Sequence, residues 1–566
     1  MNRLTRLLFL GLFCLAVQPT LFAQQAGKIQ RSEEQILQDK LLREKIERQR
    51  QKTKVEEPAV KEEAPGVNEE KALVKSITVS GVTIIPEKDI RAIVDPYQNK
   101  ELTLKQMVGI ADAITALYRK NGHITSRAYL PPQKIKDGLL EIRVVEGVTG
   151  TIKMQGNKYF KTALLMKRIG LKSGEIFNYN SLRKDLSRIN ENPDRNVKAV
   201  LAPGKVPATT DVNLEVKDRL PMHVAFDYDN YASRYVDKDR YRVTLSHNNF
   251  LGLDDSLSIQ YQVSQREDYQ LLSARYLFPV TEGLQLGFFT ARSRIALGRE
   301  YRDLNIRGKS QYYSFYATQN LLYTDNILAN LTLGFDHKDI YNFTANTETS
   351  RDRLRVARIG FDIDQSDNFG RTILTNDVNL GIPNIMGGLN DVDSHCSISG
   401  AGGSFAKDNL NLLRVQRMPF DSVFLWKNQF QFTNNVLPAA EQFQIGGIVN
   451  VRGYPAAEVV GDQGCSITGE WSLPMYPVAR SWKVPFSKAT VYDSLRWVVF
   501  YDWANARLRR VAAGEEKSRT LRSTGCGLRL SLPEDFFAKV EVAWPLDNTP
   551  SDSDHAHVLL EVSKRF

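Results

Sequence analysis

From residue 218 onward the chain alternates apolar and polar positions with a period of two. Val224, Phe226 and Tyr228 interleave with His223, Ala225, Asp227 and Asp229. Leu257, Ile259, Tyr261 and Val263 do the same with Ser256, Ser258, Gln260 and Gln262. The rhythm returns from Ala357 to Asp364 and again from Lys539 to Trp544. Segments of about ten residues between turn-rich gaps predict strands with one apolar and one polar face. At about 22 residues per strand and connection, residues 218–566 hold roughly 16 of them. A soluble sandwich would alternate in the same way, so the period alone leaves sandwich and membrane barrel open.

Ahead of residue 218 the pattern is different. Ser32 to Gln51 opens on Ser-x-x-Gln, a capping box, and is dense in helix formers. Ile36, Leu37, Leu41, Leu42 and Ile46 give it only a thin apolar stripe, so it suits a wet cavity better than a core. The polar helix is assigned to residues 24–52. A Pro/Glu/Lys-rich stretch without periodicity, residues 53–72, reads as a flexible linker. Residues 73–147 then follow a β-α-α-β-β plan and residues 148–217 repeat it. The first copy runs from a strand at Val74–Val79 to a strand over Gly138–Gly147. The second has helices at 161–169 and 179–190 and strands at 197–202 and 211–216.

Composition separates barrel from sandwich. Ten of the 54 aromatic residues precede residue 218 and 44 follow, including all six Trp. Aromatic girdles at both interfaces mark transmembrane barrels. No apolar run reaches the roughly 18 residues of a membrane-spanning helix. The 75 Lys and Arg against 65 Asp and Glu are dispersed, which does not suit a dedicated nucleic-acid binder. Residues 1–23 read as a secretory signal peptide, with Arg3 and Arg6 before an apolar stretch from Leu7 to Val17 and Ala23 at the cleavage site.

Catalytic patterns are missing. The seven His form no HExxH, and neither a G-x-S-x-G elbow nor a phosphate loop is present. No catalytic, cofactor-binding or metal residue is predicted, and an enzyme is not expected. Cys396, Cys465 and Cys526 form no CxxC and no zinc spacing, leaving room for at most one disulfide.

The strand–Gly–helix–helix plan closing on Leu140-Glu141-Ile142-Arg143-Val144-Val145-Glu146-Gly147 and on Val212-Asn213-Leu214-Glu215-Val216-Lys217-Asp218 resembles the POTRA module, used twice. Val451-Arg452-Gly453-Tyr454, after Gly446-Gly447 and before Asp462, Gly464 and Glu470, resembles the tip of the inward-folding sixth loop of the POTRA-plus-barrel superfamily. Asn249-Phe250-Leu251-Gly252-Leu253-Asp254-Asp255 resembles a turn of two-partner secretion transporters of the haemolysin-activator (TpsB) type. The terminal strand ending on Phe566 resembles the segment by which outer-membrane barrels are recognised for assembly.

The resemblance implies α+β periplasmic POTRA modules before a transmembrane antiparallel barrel at residues 218–566, with a loop around 446–470 turned inward. It also implies a partner for the loop arginine. In the strand around Leu495–Ala504 the even positions face the lumen, so Phe500-x-Asp502 matches the family's F-x-D-x-G, with Ala504 where the family has Gly. An arginine carried inward needs a carboxylate it can grip bidentately. The function implied is secretion of a large exoprotein, adhesin or haemolysin-like, across the outer membrane after the POTRA modules recognise it. The polar helix would plug the lumen, and outer-membrane lipid and the barrel assembly machinery are the other implied partners. An insertase for other barrels is the alternative, and a passive porin or a barrel enzyme comes third.

Overall fold

The computed structural model describes residues 71–485, 487–511, 515–547 and 550–566, with Arg31 and the backbone of Val55–Glu56. The signal peptide lies outside the described residues, as does the polar helix apart from Arg31. So does most of the linker. The chain divides into two units, Gln49–Pro221 and Met222–Phe566, the second including Arg31.

In the first unit the two α+β copies each build their own core. Residues 71–147 place the helices Glu87–Val94 and Leu104–Lys120 against a sheet in which Ser76–Ser80 runs parallel to Leu139–Val145 and Arg127–Tyr129 antiparallel to it. Thr103 and Gln106 close a capping box at the start of the long helix, whose Met107, Ile110, Ala111, Ile114 and Tyr118 are buried. Glu146 explains the charge that ends the first repeat. Its carboxylate accepts from the Thr83 and Ile84 amides at 2.8 and 3.2 Å and from the Tyr118 hydroxyl at 2.7 Å, tying the loop after Gly81 to the sheet. The second copy repeats the arrangement. Val148–Gln155 runs parallel to Thr209–Asp218, and Arg195–Pro203 antiparallel to the same strand. One pairing was not expected: Val55–Glu56, assigned to a structureless linker, lies as a short parallel strand against Arg195–Pro203.

The second unit is a closed barrel of sixteen strands. Its first eight are β1 Met222–Asp229, β2 Arg240–His247, β3 Ser256–Ser264, β4 Tyr269–Pro279, β5 Leu284–Ala296, β6 Arg307–Tyr323, β7 Ile327–Thr344 and β8 Thr347–Ser366. The others are β9 Gly370–Gly381, β10 Phe405–Met418, β11 Ser422–Thr433, β12 Gln463–Pro474, β13 Leu495–Arg507, β14 Ser518–Leu532, β15 Phe536–Pro545 and β16 His557–Arg565. Each strand pairs antiparallel with its neighbours in sequence, and β1 closes on β16 through Ala225–Asp229 against Glu561–Arg565. The seam continues to the last residue, because the Phe566 amide donates to the Val224 carbonyl at 2.8 Å.

The alternation read from the sequence becomes an outside and an inside. Trp471, Trp497, Tyr501 and Trp544 are exposed on the outer wall, while Val498, Phe500, Asp502 and Glu541 between them are buried. Closure leaves no strand edge and satisfies the backbone within the bilayer. The NFLGLDD segment is the turn between β2 and β3, held by Asp255 accepting from the Leu251 amide at 3.0 Å and Asn249 from the Asp254 amide at 2.9 Å. Asn230 locks the seam at the opposite rim, donating to the Val558 carbonyl and accepting from the Leu560 amide, both at 2.8 Å. Cys396, Cys465 and Cys526 are free thiols, so the disulfide that the sequence left room for is not formed among them.

Candidate functional site: a loop arginine held inside the barrel

The segment between β11 and β12 does not leave the barrel rim as an open loop. Phe443–Ile445 pairs antiparallel with Val459–Gly461, forming a narrow stem. At the end of the stem Gly446 and Gly447 take φ of 108° and 83°, a region that L side chains rarely enter. A Cβ on Gly446 would also lie 2.4 Å from the Pro455 carbonyl. Asn450 then ties the turn, accepting from the Gly446 amide at 2.9 Å and donating to the Gln444 carbonyl at 2.8 Å. The chain reverses tightly because these glycines permit it. Val451, Arg452 and Tyr454 are thereby delivered, all buried, to the inner wall.

Arg452 is the centre of the site. Its Nε and one terminal nitrogen grip both oxygens of Asp502 at 2.9 and 3.0 Å, and its backbone amide adds a third bond at 3.2 Å. The other terminal nitrogen donates to Glu470 at 2.9 Å and to Glu541 at 3.3 Å. The guanidinium carbon lies 3.3 Å from the centre of the Phe500 ring, so that side chain serves as a stacking floor. Asp502 and Glu541 are 0% exposed and Arg452 only 5%.

Three carboxylates around one arginine would repel each other, and a second cation answers this. Arg529 donates from one terminal nitrogen to Glu470 at 2.5 Å and from Nε to Glu541 at 2.9 Å. Ser523 adds a hydroxyl to Asp502 at 3.2 Å. Glu470, Asp502, Arg529 and Glu541 stand on β12, β13, β14 and β15, so four consecutive strands share the loop tip.

The neighbouring residues seat the tip by shape. Val451, Tyr454, Phe443 and Ile445 pack on Ala504, Ala506 and Leu521 of the wall. Ala504, where glycine was the family pattern, is fully buried in that contact. Gly453 passes so close that a Cβ would sit 2.8 Å from the Pro545 nitrogen and the Ser523 Cβ. The Tyr454 hydroxyl accepts from the Asp547 amide at 3.1 Å. Asp462 secures the stem, accepting from the Leu437 amide at 2.9 Å and the Arg509 amide at 2.7 Å. Gly464 lies under the Phe443 ring. Phe566, by contrast, is 69% exposed at the barrel seam and takes no part in the loop site.

The sequence reading anticipated one partner for Arg452 and missed the others. Glu470 was noted near the loop and Glu541 stood in the polar row of β15, but alternation says which face a residue takes and not which neighbour it meets. A second charged knot also escaped it. Glu441, in the loop before the stem, is buried between Lys338 of β7 at 2.7 Å and Lys407 of β10 at 2.5 Å. The buried Arg31 adds its positive charge to the same carboxylate. Lys427 of β11 donates to the Val449 carbonyl at 2.8 Å, fixing the far side of the tip.

A closed sixteen-stranded membrane barrel, entered by a latched loop and preceded by POTRA-type modules, defines the class of outer-membrane polypeptide transporters and insertases. Comparison with known proteins narrows it. Residues 208–493 match the family described as haemolysin secretion/activation protein ShlB/FhaC/HecB, and residues 72–147 match the ShlB-type POTRA domain. The chain belongs to that haemolysin secretion/activation family.

Among its relatives is the heme/hemopexin transporter protein HuxB of Haemophilus influenzae strain 86-028NP, 24% identical over 84% of each chain. Another is the outer membrane transporter CdiB of Escherichia coli strain 536, 23% identical over 71% of this chain and 70% of that one. The fold is shared with the solved structure of CdiB from Escherichia coli, at a TM-score of 0.73 and 20% identity, covering 96% of this chain and 98% of that chain. The protein is thus an outer-membrane transporter with periplasmic POTRA domains, and it secretes an exoprotein through its barrel.

Proposed function

We propose that the two α+β modules, residues 73–147 and 148–217, capture the amino-terminal domain of a large adhesin or haemolysin-like exoprotein before it enters the pore. The relatives named as a hemolysin transporter, HpmB of Proteus mirabilis, and as the heme/hemopexin transporter HuxB support that substrate class. In this reading residues 24–52 plug the lumen at rest, with the charge of Arg31 at Glu441 as one anchor. Val451, Arg452, Gly453 and Tyr454 keep the sixth loop docked, Gly446, Gly447, Asp462, Gly464 and Glu470 support it, and Phe500 and Asp502 receive it. Phe566 and the exposed outer wall meet the barrel assembly machinery and outer-membrane lipid. No chemical step is proposed.

The observation that carries this reading is Arg452 locked to carboxylates on three wall strands, with a fourth strand bracing those carboxylates. A loop fastened inside the lumen shapes the route that a polypeptide must take, and a passive porin has no need of 145 residues of paired modules ahead of its barrel. Deleting residues 73–217 is the test. Secretion and binding of the exoprotein's amino-terminal fragment should be lost while the barrel still inserts. Continued secretion by that truncated barrel would place recognition elsewhere.

A further inference from the structure

The outer wall of the barrel changes character along β5 to β8. Outward positions follow from the register, because residues directly opposite in an antiparallel pair share a face. Phe288 lies opposite Phe315, with ring centres 4.7 Å apart, and Tyr313 opposite His337 at 5.9 Å. With Leu333, Ile359 and Phe361 they form an exposed apolar band. Beyond that band the outward row turns basic. Arg292 and Arg294 of β5, Arg307 and Lys309 of β6, and Arg351 and Arg353 of β8 occupy it. The first four are exposed. This is the extracellular end of the strands. The chain enters β1 from the periplasmic modules, so odd-numbered strands run outward and β5 ends outside the cell.

Most of this charge is unanswered within the chain. Arg294 stands directly opposite Lys309, and like charges so placed destabilise a sheet. Among the described residues no carboxylate pairs with Arg292, Arg294, Arg307 or Lys309. Lys309 has the Phe343 ring instead, 5.4 Å from its Nζ. The Nε of Arg353 is buried without a hydrogen-bond acceptor. Two carboxylates stand among these strands, and both are engaged. Asp339 is held by Arg355 at 2.8 Å and His337 at 3.3 Å, and Glu348 lies 3.7 Å from Arg351. By contrast, the exposed Arg522 on β14 has Asp547 at 2.7 Å.

We propose that this row binds the phosphate groups of lipopolysaccharide, with the acyl chains lying on the apolar band beneath it. The proposal rests on the contact between outer wall and outer-membrane lipid given above, and names the lipid and the residues that hold it. Lipopolysaccharide fills the outer leaflet of the outer membrane and carries phosphates at the top of its acyl chains. The height agrees. Lys309 stands four residues beyond Tyr313, and Arg292 four beyond Phe288, which at a strand tilt near 40° is roughly 10 Å above the band. Four adjacent strands make the row about 15 Å wide. Five of its six cations are arginines, whose planar forks grip phosphate with two parallel bonds. A lipid fits better than an acidic stretch of exoprotein, because the row continues the lipid-facing wall and points away from the lumen.

The test uses the full-length transporter in detergent, with deep-rough lipopolysaccharide as the probe and retained lipid counted by native mass spectrometry. The variant Arg292→Gln, Arg294→Gln, Arg307→Gln, Lys309→Gln should retain about tenfold less or lower still, since each basic residue near an anionic surface contributes a factor of about five. The charge-keeping variant Arg292→Lys, Arg294→Lys, Arg307→Lys should retain most of it. Dephosphorylated lipid A, which keeps its acyl chains, should bind the parent protein no better than it binds the Gln variant. Inorganic phosphate should not displace the bound lipid. Equal retention by parent and Gln variant overturns the proposal and leaves the wider lipid contact standing. Equal binding of phosphorylated and dephosphorylated lipid by the parent also overturns it, even if the Gln variant fails to assemble. Displacement by inorganic phosphate would make the row a plain anion site. Normal lipid retention with lost exoprotein release would make it an exoprotein contact. Either result contradicts the proposal. A parent that retains neither lipopolysaccharide nor phospholipid would remove the lipid contact itself.

Discussion

A buried arginine is tolerable only when its charge and its donors are answered, and Arg452 has both. Replacing it with Ala leaves Asp502 without its cation, and removing one member of a buried pair costs about 3–5 kcal/mol, against roughly 0–1 for an exposed pair. Barrel hydrogen bonds run from strand to strand and do not pass through the loop, so secretion should fail while insertion stays near normal. Arg452→Lys should rescue poorly, because a point charge cannot hold Asp502 with two parallel bonds and Glu470 with a third while stacking on Phe500. The four-strand geometry also decides a charge swap. Arg452→Asp with Asp502→Arg would seem to preserve a pair, but the new carboxylate would face Glu470 and Glu541. The double variant should therefore secrete no better than either single one, measured as exoprotein in the medium. Recovery would mean that Asp502 alone matters.

Elements were legible from sequence to the extent that their period was local. The helices Glu87–Val94, Leu104–Lys120 and Tyr179–Ile189 and the strands closing on Glu146 and Asp218 lie where capping residues, glycines and alternation place them. What escaped was long-range. The strand Lys100–Thr103 pairs with Lys71–Val74, and Val55–Glu56 with Arg195–Pro203, and neither pairing leaves a periodic mark. The loop site was half visible for the same reason. Glycines and the VRGY tip announce a sharp turn, and β13 announces a lumen carboxylate, whereas Arg529, Glu541 and Glu441 become partners only when distant strands close into a cylinder. The polar helix offers a test at this scale. Deleting residues 32–51 should leave the barrel folded, because so thin an apolar stripe supports no core, and should raise ion conductance in planar bilayers. Unchanged conductance would remove the plug assignment.

At the scale of the whole molecule, closure links the parts. The sixteen-stranded cylinder leaves no edge in the bilayer, its last residue completes the seam, and its inner wall supplies the carboxylates that draw the sixth loop inward. The exoprotein travels through this lumen. Neighbouring positions on β8 allow that passage to be tested directly, because Phe361 is exposed on the outer wall while Asp362 turns inward to accept from Asn330 at 3.0 Å. A photoreactive side chain is introduced at either position and an exoprotein is arrested during secretion by a folded carboxyl-terminal domain. Illumination should cross-link the arrested chain to position 362 and not to position 361. Cross-linking at 361 alone, or at neither position while the substrate is demonstrably arrested, would contradict passage through the barrel.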